Sequence, residues 1–162
     1  MPIDSVQFRS TLAQWASGVT VVTTAHEGLL YGMTASSFSS VSLTPPLILV
    51  CIAKYAYTHQ ILLDAGSFGV NILSAEQADL GKRFAEKHAE YINRFADLDV
   101  VYGEYGVPLL PRVMAWLDCK TYQVVDAGDH SVFIGEVLST QINGGEPLLY
   151  FNRKWGAFAS QG

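Results

Sequence analysis

Cysteine is nearly missing from this chain. Only Cys51 and Cys119 occur among 162 residues, both inside apolar runs. Two thiols so placed are not a disulfide framework; they fit buried thiols in a reducing compartment. Charge is sparse too, at 15% of residues, and its balance is −5 at pH 7. No stripe of Lys and Arg stands out, which argues against a nucleic-acid-backbone binder. Polar residues break every apolar run at strand length, so no segment reads as a membrane span. No basic stretch with an apolar run behind it opens the chain, so no secretory signal is read and the expected location is the cytoplasm. His26, His59, His88 and His130 are scattered, and no His or Cys pair has the spacing of a metal site. The Gly-rich dinucleotide fingerprint, the P-loop and the G-x-S-x-G elbow are absent. What abounds is apolar, 49% of residues. That is rich for a chain of one domain, 1–162, and points to a large buried interface beside the core.

One stretch is unusual in composition. Between apolar strands, Thr34, Ser36, Ser37, Ser39, Ser40 and Ser42 form a hydroxyl-rich run, ending at Pro45–Pro46. Short hydroxyls and the backbone donors beside them let a flat polar ligand lie close against the main chain. The same run also reads as a strand with one wetted face, Thr34, Ser36, Ser40 and Ser42 pointing outward at period two.

Periodicity orders the elements. Phe8, Leu12 and Trp15 recur at helical spacing behind an N-cap at Asp4 or Ser5, with Gly18 as the stop. Residues 20–24 (TVVTT) form a β-branched strand, and Glu27–Gly28 turns into the strand that carries the hydroxyl run. Residues 47–52 (LILVCI) are expected to be buried on both faces. A short helix over 58–63, a strand over 68–73 and a helix opened by the Ser74–Gln77 capping box follow. That helix carries Leu80 and Phe84 on one face. Residues 85–111 read as a long surface loop with one short strand. Two long strands, 113–125 and 131–142, flank a hairpin turn at 126–129, and 147–151 forms a final short strand. With no βαβ rhythm, the expected fold is mainly β (α+β), a closed antiparallel barrel with a few peripheral helices.

Three constellations can carry chemistry. His130 follows the Gly128–Asp129 turn, where it either serves a ligand at the barrel mouth or is merely solvated. The run Tyr150 to Trp155 pairs ring faces with Arg153 and Lys154, for stacking and anion binding, or for core packing and a wetted charge pair. Lys54, Thr58, Lys82 and Arg83 are candidates for an anionic end, although a charged helix face explains the last two as well.

Taken in order, Gly18–Thr24, Gly32–Phe38, Pro45–Pro46, Val70–Leu73, Phe84–Ala85, Gly128–His130 and Tyr150–Phe151 resemble the flavin reductase-like family. The resemblance runs from Phe8 to about Trp155. It implies an FMN-binding split barrel, usually a homodimer with flavin near the subunit interface, in which NADH reduces FMN or FAD for the oxygenase of a two-component monooxygenase. Under that resemblance Thr34, Ala35, Ser36 and Ser37 face the flavin ring, and Ser42 and Phe84 belong to its surroundings. Cys51, Ile52 and Ala53 line it, and Lys54, Thr58 and Arg83 hold its phosphate. His130, Tyr150, Phe151 and Arg153 form the nicotinamide groove, with His130 anchoring the ring or donating a proton. Arg153 stands where relatives often carry glycine, so NADPH remains an alternative donor. A flavin-binding module without turnover, or a flavin-dependent oxidase, is the alternative function.

Overall fold

The computed structural model describes residues 2–87 and 93–162; His88 and part of the expected 85–111 loop lie outside the described residues. Helix α1 (Ser5–Leu12) is capped by Asp4, whose carboxylate accepts from the Gln7 amide at 2.9 Å. It is shorter than its apolar spacing suggests. Trp15 lies beyond its end, 79% exposed, and Gly18 belongs to a two-residue strand, β1 (Ser17–Gly18), rather than to a helix stop.

Seven strands form one antiparallel sheet. Chain order gives β2 (Thr20–His26), β3 (Leu29–Ala35), β4 (Phe38–Leu43), β5 (Pro46–Ala53), β6 (Ser67–Ile72), β9 (Ala115–Ala127) and β10 (His130–Ile142). Their spatial order is β3-β2-β6-β9-β10-β5-β4. The β2–β3 turn places both Glu27 and Gly28 at positive φ, the mirror-image turn that suits strand twist. Two smaller sheets join β1 to β11 (Leu148–Phe151) and β12 (Lys154–Ala157), and β7 (Val101–Tyr102) to β8 (Pro108–Leu109).

The expected closed barrel is corrected to an open sheet, because its edge strands β3 and β4 do not pair. The hydroxyl run is the cause. It is not one strand: β3 stops at Ala35, the chain steps through Ser36–Ser37, and β4 then pairs with β5 at the far edge. Ser37 secures that step. Its hydroxyl donates to the Cys51 carbonyl at 2.8 Å and accepts the Cys51 amide at 3.1 Å.

Two cores flank the sheet. Val22, Val50, Ile52, Leu62, Phe68, Val70, Cys119 and Phe133 fill one. Val19, Val21, Leu73, Phe84, Phe95, Leu110 and Leu148 fill the other. Strand β2 feeds both by alternation, and every residue from Thr20 to Thr24 is buried. Burial pushes the Cys119 thiol up to about 12, with neighbouring Asp118 adding to the shift. Strand β5 departs from expectation: Ile48, Val50 and Ile52 are buried, but Leu47, Leu49 and Cys51 on its other face are only half-buried.

Helix α2 (Tyr57–Ala65) packs on β2, β3 and β6. The Ser74 amide donates to Gln77 Oε1 at 3.0 Å, and the box opens a 3-10 turn (Ala75–Gln77) before α3 (Ala78–Ala85). The segment read as a surface loop is corrected as well. Past residue 92 it holds a two-stranded hairpin, β7–β8, and buries Phe95, Val107, Leu109 and Leu110.

Candidate functional site

Strand β3, the start of α2, the end of α3 and residues 93–102 enclose a cleft of about 1250 Å³. That exceeds the ~300–1000 Å³ of common small-molecule sites and leaves room for a tricyclic ring and a second flat ring. One wall comes from β3 and its exit, with Tyr31, Met33, Thr34 and Ser36. Ala53 and Thr58 adjoin it. Phe84 and Phe95, edge to face at 5.1 Å, form a floor. A Cβ at Gly32 would stand 2.7 Å from the Phe84 ring, so only glycine lets β3 lie against that floor. Tyr102, Tyr150 and Trp155 bring further rings, the last two edge to face at 6.2 Å.

The hydroxyls are not equivalent. Thr34 Oγ1 donates to the Gly81 carbonyl at 2.6 Å and so ties β3 to α3. Thr58 Oγ1 contacts Met33 Sδ at 2.8 Å. Ser36 is exposed and borders the cleft. Ser37 is committed to Cys51 at the edge step, and Ser42 lies on β4 away from the lining. Ala35 and Ile52 point into the core, and Cys51 is half-buried, its thiol pushed upward by burial.

Of the cations expected at an anionic end, Lys54, Lys82 and Arg83, none borders the cleft. Lys54 Nζ pairs with Asp126, whose carboxyl this contact holds below its ordinary range, and donates to the Gly128 carbonyl at 2.7 Å. Arg83 Nη2 donates to the Ala96 carbonyl at 2.6 Å. The cations that do border the cleft are Lys87 and Arg94. Arg94 Nη1 donates to the carbonyls of Gly32 at 2.9 Å and Phe84 at 3.2 Å, and Nη2 donates to Glu86. Of its five N–H donors, Nε–H has no partner among the described residues. Sequence reasoning missed Arg94 because it sits in a segment without periodicity.

His130 opens β10 opposite Ala53 and lies outside the cleft lining, with Nδ1 2.6 Å from Asp129 Oδ1. That contact lowers the Asp129 carboxyl below its usual range. Phe151 and Arg153 are exposed at the β11–β12 turn, where Asn152 and Arg153 both take positive φ. Of the expected nicotinamide groove, Tyr150 alone lines the cleft. Tyr31 and Tyr57, with ring centroids 6.0 Å apart, went unread; burial and its neighbour raise the Tyr31 hydroxyl. The signal for Tyr31 was its place on β3, the strand that enters the hydroxyl run.

Similarity to known proteins runs the length of this architecture. A 4-nitrophenol 4-monooxygenase/4-nitrocatechol 2-monooxygenase reductase component from Rhodococcus opacus is 38% identical over 97% of this chain and 83% of its own. An FMN reductase (NADH) from Agrobacterium fabrum is 40% identical over 98% of this chain and 88% of its own. Among solved structures, an NADH:FAD oxidoreductase from Streptomyces globisporus superposes with a TM-score of 0.92 at 38% identity, covering 99% of this chain and 96% of that one. The same oxidoreductase in complex with NAD and FAD fragments superposes with a TM-score of 0.89 at 37% identity, covering 98% and 94%. The model of the flavin reductase like domain matches residues 12–159, and the chain belongs to that family.

Proposed function

We propose that this chain is an NADH-dependent flavin reductase, the reductase component of a two-component monooxygenase. It passes hydride from NADH to FMN or FAD and releases reduced flavin to an oxygenase partner. The observation that carries this reading is the cleft itself. It sets neutral hydroxyl and backbone donors on one wall, rings on the other and Arg94 at its edge, in a chain of the flavin reductase-like family. Flat aromatic ligands with polar rims and a phosphate tail suit that lining.

Bound flavin supplies the two-electron acceptor. The remaining work falls to the chain's own residues. Ser36 and the backbone amides beside it face a ring's polar edge and stabilise charge that develops there. Thr34, fixed on Gly81, keeps that wall in place. Lys87 and Arg94 hold the phosphate end because they border the cleft, whereas Lys54 and Arg83 lie outside its lining; Arg94 does so while tied to the carbonyls of Gly32, Phe84 and Glu86. Tyr150 and Trp155 stack the nicotinamide, which orients the donor rather than activating it.

The same reading takes residues 1–162 as one domain working in the cytoplasm as a homodimer. On the half-buried face of β5, Leu49 and Cys51 pair in register with Ile134 and Val132 on β10, an apolar patch for a second copy that ends where Leu47 meets Glu136. The test is NADH oxidation under air by the purified chain. Turnover that requires added FMN or FAD is the expected result. Absence of flavin binding and of flavin-dependent NADH oxidation would overturn the reading.

A further inference from the structure

Three polar side chains are fully buried on the face of the sheet opposite the Phe68 core: Thr23, Asn71 and Asp118, each 0% exposed. Their register makes them a group. Thr23 on β2 pairs with Gly69 on β6, and Gly69 pairs with Asp118 on β9, so a threonine and an aspartate flank a glycine in one row across three strands. Asn71 stands two residues along from that glycine. Buried polar groups are retained where their partners are supplied. Here the partners belong to one segment, the hairpin arm 103–110, and Asp118 Oδ1 alone of the socket's oxygens has none among the described residues. Thr23 Oγ1 donates to the Pro108 carbonyl at 2.5 Å, Asn71 Oδ1 accepts the Leu110 amide at 2.8 Å, and Asp118 Oδ2 accepts the Glu104 amide at 2.8 Å. Asn71 is itself fixed, since Nδ2 donates to the Val21 carbonyl at 2.9 Å and to Thr23 Oγ1 at 3.1 Å. The glycine makes the slot. A Cβ at Gly69 would stand 2.8 Å from Leu109 and 3.0 Å from Val107, and would expel the arm.

The arm reaches the ligand cleft through its own ladder. Pro108 pairs with Tyr102, and Tyr102 borders the cleft, 57% exposed. Tyr102 has little burial of its own to fix it, so its place follows from the docked β8 strand. We propose that Thr23, Asn71 and Asp118 form a polar socket whose function is to position the Tyr102 wall for flavin capture. They act as positioning residues, without touching ligand. The proposal rests on the flavin reductase reading above.

The experiment measures flavin dissociation constants by fluorescence quenching, with kcat at saturating flavin and amide hydrogen exchange over 101–110, in the full chain. Asp118→Ala should raise the flavin Kd about tenfold, the factor of one lost hydrogen bond, with kcat held within about twofold. Asp118→Asn retains an acceptor for the Glu104 amide and should restore wild-type affinity. Tyr102→Ala should weaken flavin binding to the same degree, and the double variant should be no weaker than Tyr102→Ala alone. Thr23→Val keeps the shape, deletes the Pro108 bond, and carries the same test where Asp118→Ala fails to fold. Faster exchange over 101–110 with an unchanged flavin Kd overturns the proposal, as do losses that multiply in the double variant. An unchanged Kd beside a normal wild type removes the socket's role alone, whereas a wild type without flavin affinity removes the reductase reading and this proposal with it.

Discussion

At the residue scale, two adjacent serines divide the labour. Ser36 borders the cleft, and Ser37 joins the two edge strands through Cys51. Ser36→Leu is therefore expected to lower flavin affinity by an order of magnitude or more while the melting temperature holds; fluorescence quenching and a thermal scan read both. Ser37→Ala should do the reverse. It loses about 1 kcal/mol of hydrogen bonding, a fall of about 2–4 °C in Tm for a chain of this size, with flavin affinity nearly unmoved. The sequence located the hydroxyl run and could not divide it. Period-two reading assumes one continuous strand, and the step at Ser36–Ser37 breaks the alternation. Lys54 and Arg83 illustrate the same limit. Their residue type suits phosphate, but Asp126 and the Ala96 carbonyl, which engage them, come from distant segments.

At the scale of elements, α2 is held to β10 by one titratable contact. His59 Nε2 lies 2.8 Å from Ser131 Oγ, and its ring meets Phe133 edge to face at 5.6 Å. Desolvation first, and the Lys54 charge second, lower its pKa below the ordinary histidine value. The folded chain thus binds this proton less readily than the unfolded chain. The stabilisation is complete above about pH 6.5, and is lost as pH falls from there through the lowered folded value. Thermal melts from pH 7.5 to 5 should show a decline that His59→Gln flattens; equal slopes for the two proteins would sink this assignment. Long periodic elements were legible, including β2, β5, β9 and β10 within a few residues. The segment past residue 92 was not, because its burial depends on Thr23, Asn71 and Asp118, far away in sequence. Gly and Pro there look like exposed loop, and nothing local announces the donor and the two acceptors waiting on the sheet.

At the scale of the whole molecule, the sheet is open, and Leu49, Cys51, Val132 and Ile134 form a half-buried apolar patch across β5 and β10. If the proposed second copy sits on this patch, Leu49→Glu should give monomers, seen as a halved mass by light scattering. An unchanged mass would place the second copy elsewhere. Closure was overestimated from sequence because strand count and alternation do not reveal which edges pair. The thiols carry a consequence for the chemistry. Reduced flavin released in air yields hydrogen peroxide, and peroxide attacks thiolate rather than thiol. Burial pushes the Cys119 thiol up to about 12, which keeps it in the thiol form at neutral pH, and burial shifts Cys51 in the same direction. A catalyst bathed in its own oxidant by-product should keep both sulfurs intact, and intact-mass spectra after millimolar peroxide should show no sulfinic or sulfonic adducts at either position.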